Sequence, residues 1–148
     1  MSQENVEIVR RAWETVNSDD SDVDDWLGGY VDVWLDEFFD PEIEWHDVPT
    51  LPNAGVHRGR EAFRRHLLDY MEAWGDSNFE VEDIRAVGDR VVVRGRYGGV
   101  GRHSGAQVAG RLSLPATSAV YDFRAGRILR VQQFVTHAEA LEAAGLRE

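Results

Sequence analysis

Helical spacing dominates the first half of this 148-residue chain and a period of two takes over from Phe79, and that switch sets the fold class. Val6, Val9, Trp13 and Val16 recur at helical spacing between a Ser2 cap and the Asn17-Ser18-Asp19 break. A stronger stripe follows. Val23, Trp26, Leu27, Tyr30, Val31, Trp34, Leu35, Phe38 and Phe39 predict a second helix, kinked near Gly28 and Gly29 and stopped by Pro41. A third helix is expected from about Arg60 to Trp74, with Phe63, Leu67, Tyr70, Met71 and Trp74 on its apolar stripe and Gly75 as its C-cap.

Between the second and third helices, alternation predicts a short strand from Ile43 to Asp47. Beyond Phe79, strands are expected at 79–87, 90–98, 106–123 and 127–135, with tight turns at Gly88-Asp89 and Ala125-Gly126. Pro115 argues for an edge, bulge or break in the third of these. Thr136 and Glu139 have capping-box spacing ahead of a last helix that ends near Gly145. Helices first, then a meander, is an α+β order with an antiparallel sheet. With no repeat or linker, a single domain over 1–148 is expected.

Composition excludes whole classes of function. The absence of cysteine removes disulfides, thiolate catalysis, iron–sulfur clusters and cysteine-ligated zinc. A net charge of -11 opposes nucleic-acid binding, because the arginines are dispersed among an acidic excess. MSQENVEIVRRAW lacks a signal-peptide core, and no apolar run approaches a membrane span, so a soluble, cytoplasmic protein without a membrane partner is expected.

In Ile43-Glu44-Trp45-His46-Asp47, alternation places Ile43, Trp45 and Asp47 on one face. A carboxylate beside tryptophan in a poorly hydrated pocket suits proton abstraction next to a carbonyl; the bland alternative is a strand-ending residue that accepts turn hydrogen bonds. His46 points the other way, His57 lies in the loop before the third helix and can reach a pocket rim, and His66 and His103 read as structural or solvated. No histidine pair has helical metal-site spacing and no compact His and carboxylate cluster stands out, so no metal is expected. Gln133 is the only polar side chain on the face it shares with Leu129, Val131 and Val135. It either donates to a ligand carbonyl or is satisfied internally. Ala119, Tyr121 and Phe123 share the facing side of the preceding strand, where Tyr121 could supply an oxyanion hydrogen bond or pack with its hydroxyl satisfied. Trp13, Tyr30, Trp34, Trp45, His57, Phe63 and Trp74 are the further candidates for lining an apolar ligand site, with Ala119, Phe123, Val131 and Val135 from the strands.

The segments SQENVEIVRRAW, DPEIEWHDVP, AGVHRGREAFRRHL, VGDRVVVRGR and THAEALEAAGL resemble the SnoaL-like family of the nuclear transport factor 2-like superfamily. The resemblance implies a cone: a curved antiparallel sheet packed on three N-terminal helices, with a short C-terminal helix and a pocket for a small apolar molecule. It also implies chemistry without a cofactor and homodimerisation through the outer sheet face. Asp47 falls where the similar ketosteroid isomerases keep their catalytic aspartate. Ala119 stands where a second acid would be expected, and no Arg-x-Asp pair suggests epoxide hydrolysis. The second helical region is about three turns longer than the family's. Three readings stay open: a cofactor-free isomerase, cyclase or lyase in which Asp47 abstracts a proton and Tyr121 or Gln133 holds the enolate; a noncatalytic binder of a hydrophobic metabolite; and a dimeric association module whose cone is filled by its own aromatic residues.

Overall fold

The computed structural model describes residues 2–16, 29–47, 55–74, 78–100, 107–108 and 117–145. Its helices are α1 (Ser2–Val16), α2 (Val31–Phe38), α3 (Arg60–Trp74) and α4 (His137–Ala144). The strands are β1 (Phe39–His46), β2 (Val56–Arg58), β3 (Asn78–Val87), β4 (Arg90–Val100), β5 (Gln107–Val108), β6 (Thr117–Arg124) and β7 (Arg127–Phe134). They pair in the order β2-β1-β7-β6-β4-β3, with β5 on β4, in a curved, unclosed sheet. The α+β class read from the sequence is the one observed. One pairing differs from an antiparallel meander: β1 runs parallel to β7, because the long excursion through α3 and β3–β6 returns the chain beside β1 in the same direction.

α2 ends at Phe38 without proline, and Phe39 is already extended at φ -118°. Pro41 therefore lies inside β1 and does not stop the helix. It is tolerated because the register of β1 against β7 slips between Phe39 and Glu44, where a missing amide donor breaks no ladder bond. At the other end of α2, Gly29 has φ +134°, a backbone conformation that a side chain would oppose. The expected helical turns before residue 29 lie outside the described residues. So does Pro115, although the expected third strand is seen as two separate pieces, β5 and β6. α4 begins where expected, with Thr136 accepting a hydrogen bond from the Glu139 amide and Gly145 closing it in the left-handed region.

The concave face of the sheet carries the main core. Val6, Val9, Ala12 and Trp13 of α1 and Val31, Trp34, Leu35 and Phe38 of α2 pack over Val91, Val93, Ala119, Tyr121, Ile128 and Val131. Two indole donors buried here are satisfied, Trp34 Nε1 by the Ala12 carbonyl at 2.9 Å and Trp13 Nε1 by the Tyr121 hydroxyl at 2.9 Å. A smaller cluster on the convex face seats Ala140 and Ala144 of α4 on Val92 and Val120. Alternation along β4 thus feeds two cores, with Val91 and Val93 inside and Val92 outside. Among the described residues, no helix is long and apolar enough to cross a membrane.

The irregular start of β1 is held from the side by Asp40. Its carboxylate accepts from Arg124 Nε at 3.0 Å and from an Arg124 terminal nitrogen at 2.7 Å, and also accepts the Glu42 amide at 2.8 Å. The Arg124 hydrogen bonds hold the Asp40 carboxyl below its usual range of about 3.8, with burial opposing them. A depressed carboxyl pKa stabilises the fold fully above the unfolded value and stops doing so as pH falls through the lower folded value. Arg124→Ala should therefore lower the thermal midpoint at neutral pH by about 2–4 °C. The difference from wild type should close below pH 3.8, as followed by circular dichroism melts across pH 7 to 2.

Candidate functional site

Cross-strand register arranges the concave face in rows. His57 of β2 pairs with Trp45 of β1, Trp45 with Val131 of β7, Val131 with Tyr121 of β6, and Tyr121 with Val91 of β4. One step along the same face, Gln133 pairs with Ala119 and Ala119 with Val93. Continuing the parallel register of β1 and β7 beyond His46 and Gln132 sets Asp47 at the end of that second row. The face assignment made from alternation holds for β1: Ile43 is fully buried, Trp45 is 5% exposed and the Asp47 side chain 6%.

Asp47 is the centre of a polar cluster at this corner. Its Oδ2 lies 3.0 Å from His57 Nε2 and accepts the Gly55 amide at 3.3 Å, while Oδ1 accepts Trp45 Nε1 at 3.2 Å and lies 3.3 Å from His66 Nε2. The Asp47 amide in turn donates to the Gly55 carbonyl at 3.0 Å, so side chain and backbone together close the β1–β2 connection. The two imidazoles stack with centroids 3.9 Å apart and planes 21° from parallel. They are 26% and 31% exposed, so the cluster opens outward through the histidines while the carboxylate stays covered. Burial holds His66 below the ordinary imidazole range; the Asp47 charge opposes that shift and the His57 charge adds to it.

An ionised carboxylate offers about four lone-pair sites, and every Asp47 oxygen has two nitrogen neighbours. The carboxylate itself can only accept, so the ring nitrogens facing it are N–H when the histidines are neutral, and Nδ1 carries the lone pair. Among the described residues neither Nδ1 has a hydrogen-bond partner. An imidazole held by a buried carboxylate through one nitrogen and open at the other is the arrangement that general acid–base chemistry uses.

Behind the cluster a chain of aromatic contacts runs along the described part of the face. Trp45 stacks on Phe63 of α3 at 5.0 Å, Phe63 meets Phe39 at 5.2 Å, Phe39 meets Trp34 at 4.7 Å and Trp34 meets Trp13 at 6.1 Å. Trp13, Trp34, Phe63 and Val131 are therefore core, with Ala119 at its edge and Phe123 half-buried against it. Tyr30 stands 44% exposed at the start of α2. Val135 is likewise 44% exposed, since β7 ends at Phe134 and the chain turns towards the Thr136 cap. Leu129 also leaves the expected face: a register slip against β6 makes it the extra residue and turns Ile128 inward in its place. The side chain of Trp74 lies outside those described, and His103 outside the described residues.

Gln133 is 6% exposed and has a partner. His46 is on the opposite face as expected, 3.1 Å from Glu44. Tyr121 is 1% exposed, and burial pushes its hydroxyl well above the usual phenol range despite the Trp13 hydrogen bond. The sequence reading missed His66 and with it the compact cluster, because its members come from three elements. The signal was present: position 66 is one helical turn from Phe63, on the edge of the stripe that faces β1. Tyr121→Phe removes the buried hydroxyl that accepts the Trp13 Nε1–H hydrogen bond and should cost about 1–3 kcal/mol in urea unfolding.

Comparison with known proteins bears on the fold. The profile described as SnoaL-like domain matches residues 9–131. Bal32a, from a soil-derived mobile gene cassette, is 23% identical with a TM-score of 0.67, over 89% of this chain and 88% of its own. A protein of Jannaschia sp. CCS1, provisionally named a SnoaL-like polyketide cyclase, is 18% identical with a TM-score of 0.67, over 99% of this chain and 95% of its own. A hypothetical protein of Catenulispora acidiphila DSM 44928 with a ketosteroid isomerase-like fold, in complex with trimethylamine, is 14% identical with a TM-score of 0.64, over 95% of this chain and 94% of its own. No curated protein matches the sequence. At these identities the likeness shows the fold alone.

Proposed function

Since the chain belongs to the SnoaL-like domain family, we propose that it is a cofactor-free isomerase, cyclase or lyase that moves a proton next to the carbonyl of a small apolar compound at the Asp47, His57 and His66 corner. The observation that carries this reading is the buried carboxylate held between two half-exposed imidazoles at the edge of an apolar floor. In this reading a substrate C–H bond breaks towards Nδ1 of His57, the electron pair passes to the carbonyl oxygen, and Asp47 holds the resulting imidazolium through Nε2–H. Gln133, one row position away, is the proposed donor to the enolate oxygen. Asp47 thus acts through a histidine, since its own oxygens are already engaged. The aromatic chain that begins at Trp45 and Phe63 supplies an apolar wall beside this corner for such a ligand.

The test is exchange of the α-protons of a small apolar ketone such as 2-tetralone for deuterium, followed by proton NMR in heavy water. Proton abstraction by a positioned base should raise the rate above buffer, and His57→Ala and Asp47→Asn should each remove about 100-fold or more of that gain. Unaccelerated exchange with retained ketone binding would make the protein a noncatalytic binder. Wild-type rates in Asp47→Asn would sink the assignment of the site.

A further inference from the structure

The geometry points to a second use of the same corner: we propose that Asp47, His57 and His66 form a binding site for one divalent transition-metal ion of the zinc class. Three side chains from β1's end, β2 and α3 present one ligand atom each, all within 4.8 Å of one another. His57 Nε2 stands 3.0 Å from Asp47 Oδ2 and His66 Nε2 3.3 Å from Asp47 Oδ1. Ligands bonded to zinc at about 2.0–2.2 Å in a tetrahedral arrangement stand about 3.3–3.5 Å apart. Small side-chain rotations close the remaining difference around an ion.

The donor set selects the ion class. Two imidazoles and one carboxylate, without thiolate, suit zinc and its first-row neighbours better than calcium or magnesium, which want oxygen ligands in larger number. The surroundings are also those of a metal carboxylate. Trp45 Nε1 and the Gly55 amide each occupy one outer lone pair of Asp47 and fix its plane, as outer-shell donors do around ligating carboxylates. The stacked rings bring both Nε2 atoms to the same carboxylate from one side. The half-exposed histidines leave a fourth position open outward for water or a ligand oxygen.

This inference concerns binding and does not rest on proton transfer. An ion would replace the two Nε2 protons that face Asp47, so the metal-loaded and proton-transferring states exclude one another. Loss of exchange with metal bound normally would count against the catalytic reading alone, and exchange without metal binding against this one alone.

Purified full-length protein, stripped with chelator, is titrated with Co2+ and then Zn2+ by visible absorption and calorimetry. One Co2+ per chain, with a d–d spectrum that Zn2+ abolishes, is expected. His57→Ala and His66→Ala, checked for folding by circular dichroism, should each weaken Zn2+ binding at least about tenfold, while His46→Ala and His137→Ala bind as wild type. If either site variant fails to fold, two-dimensional NMR of the wild type should show Zn2+ shifting the ring signals of His57 and His66 but not of His46 or His137. Absence of a Co2+ spectrum, wild-type affinity in both site variants, or ring shifts at His46 or His137 instead would overturn the proposal.

Discussion

Everything at the candidate site depends on how β1 lies beside β7. The two strands run parallel, so residues two apart on β1 meet residues two apart on β7 in order, and one face of both turns inward together. That is what puts Ile43, Trp45 and Asp47 on the concave side, with Glu44 and His46 outward. A slip of one residue at this pairing would exchange Asp47 for His46 and Trp45 for Glu44. The register slip near Pro41 occurs before the site-forming stretch and leaves the pairing from Glu44 to His46 regular. Arg124 and Asp40 secure the irregular part, so that the regular part begins in register.

The helices do a different job from the strands. α1 and α2 seal the concave face with aromatic rings whose polar atoms are all used within the core, as the Trp13 and Trp34 hydrogen bonds show. α3 is tied to α2 by charges: Arg64 reaches Asp32, and Arg60 reaches Asp36 and the Phe39 carbonyl. This fixes the height of α3 over β1, hence the stack of Phe63 on Trp45, hence the position of His66 one turn further on. Rigid apolar packing thereby sets the separation of polar groups that do not themselves drive folding.

What could be read from the sequence follows from how local each feature is. The periods of α1, α3 and α4, the turns at Gly88-Asp89 and Ala125-Gly126, and the inward face of β1 are all encoded within a few residues, and each is found where expected. The parallel pairing, the bulge that swaps Ile128 for Leu129, and strand residues at Phe39 and Asp40 depend on partners far along the chain. Propensity and alternation carry no such information. The site shows the same division: Asp47 was legible because alternation is local, and His57 was placed at a rim. His66 was not singled out, since its role exists only when α3 crosses the end of β1 at the angle that its core residues dictate.

A carboxylate at the end of β1 is also where such a group costs least and can do most. Within the strand, both neighbours of Trp45 are committed to ladder bonds; at Asp47 the chain leaves the sheet, and Gly55 returns to offer an amide to the side chain as well as a carbonyl to the backbone. The charge is thus stabilised by fixed dipoles while it remains almost wholly covered. Deep in the aromatic core the same group would lack those partners, and on the opposite face of β1 the carboxylate of Glu44, 39% exposed, is far less covered. The corner where β1 ends, β2 returns and α3 crosses is therefore the one place on the described concave face where a buried charge, two titratable rings and an opening to solvent coexist.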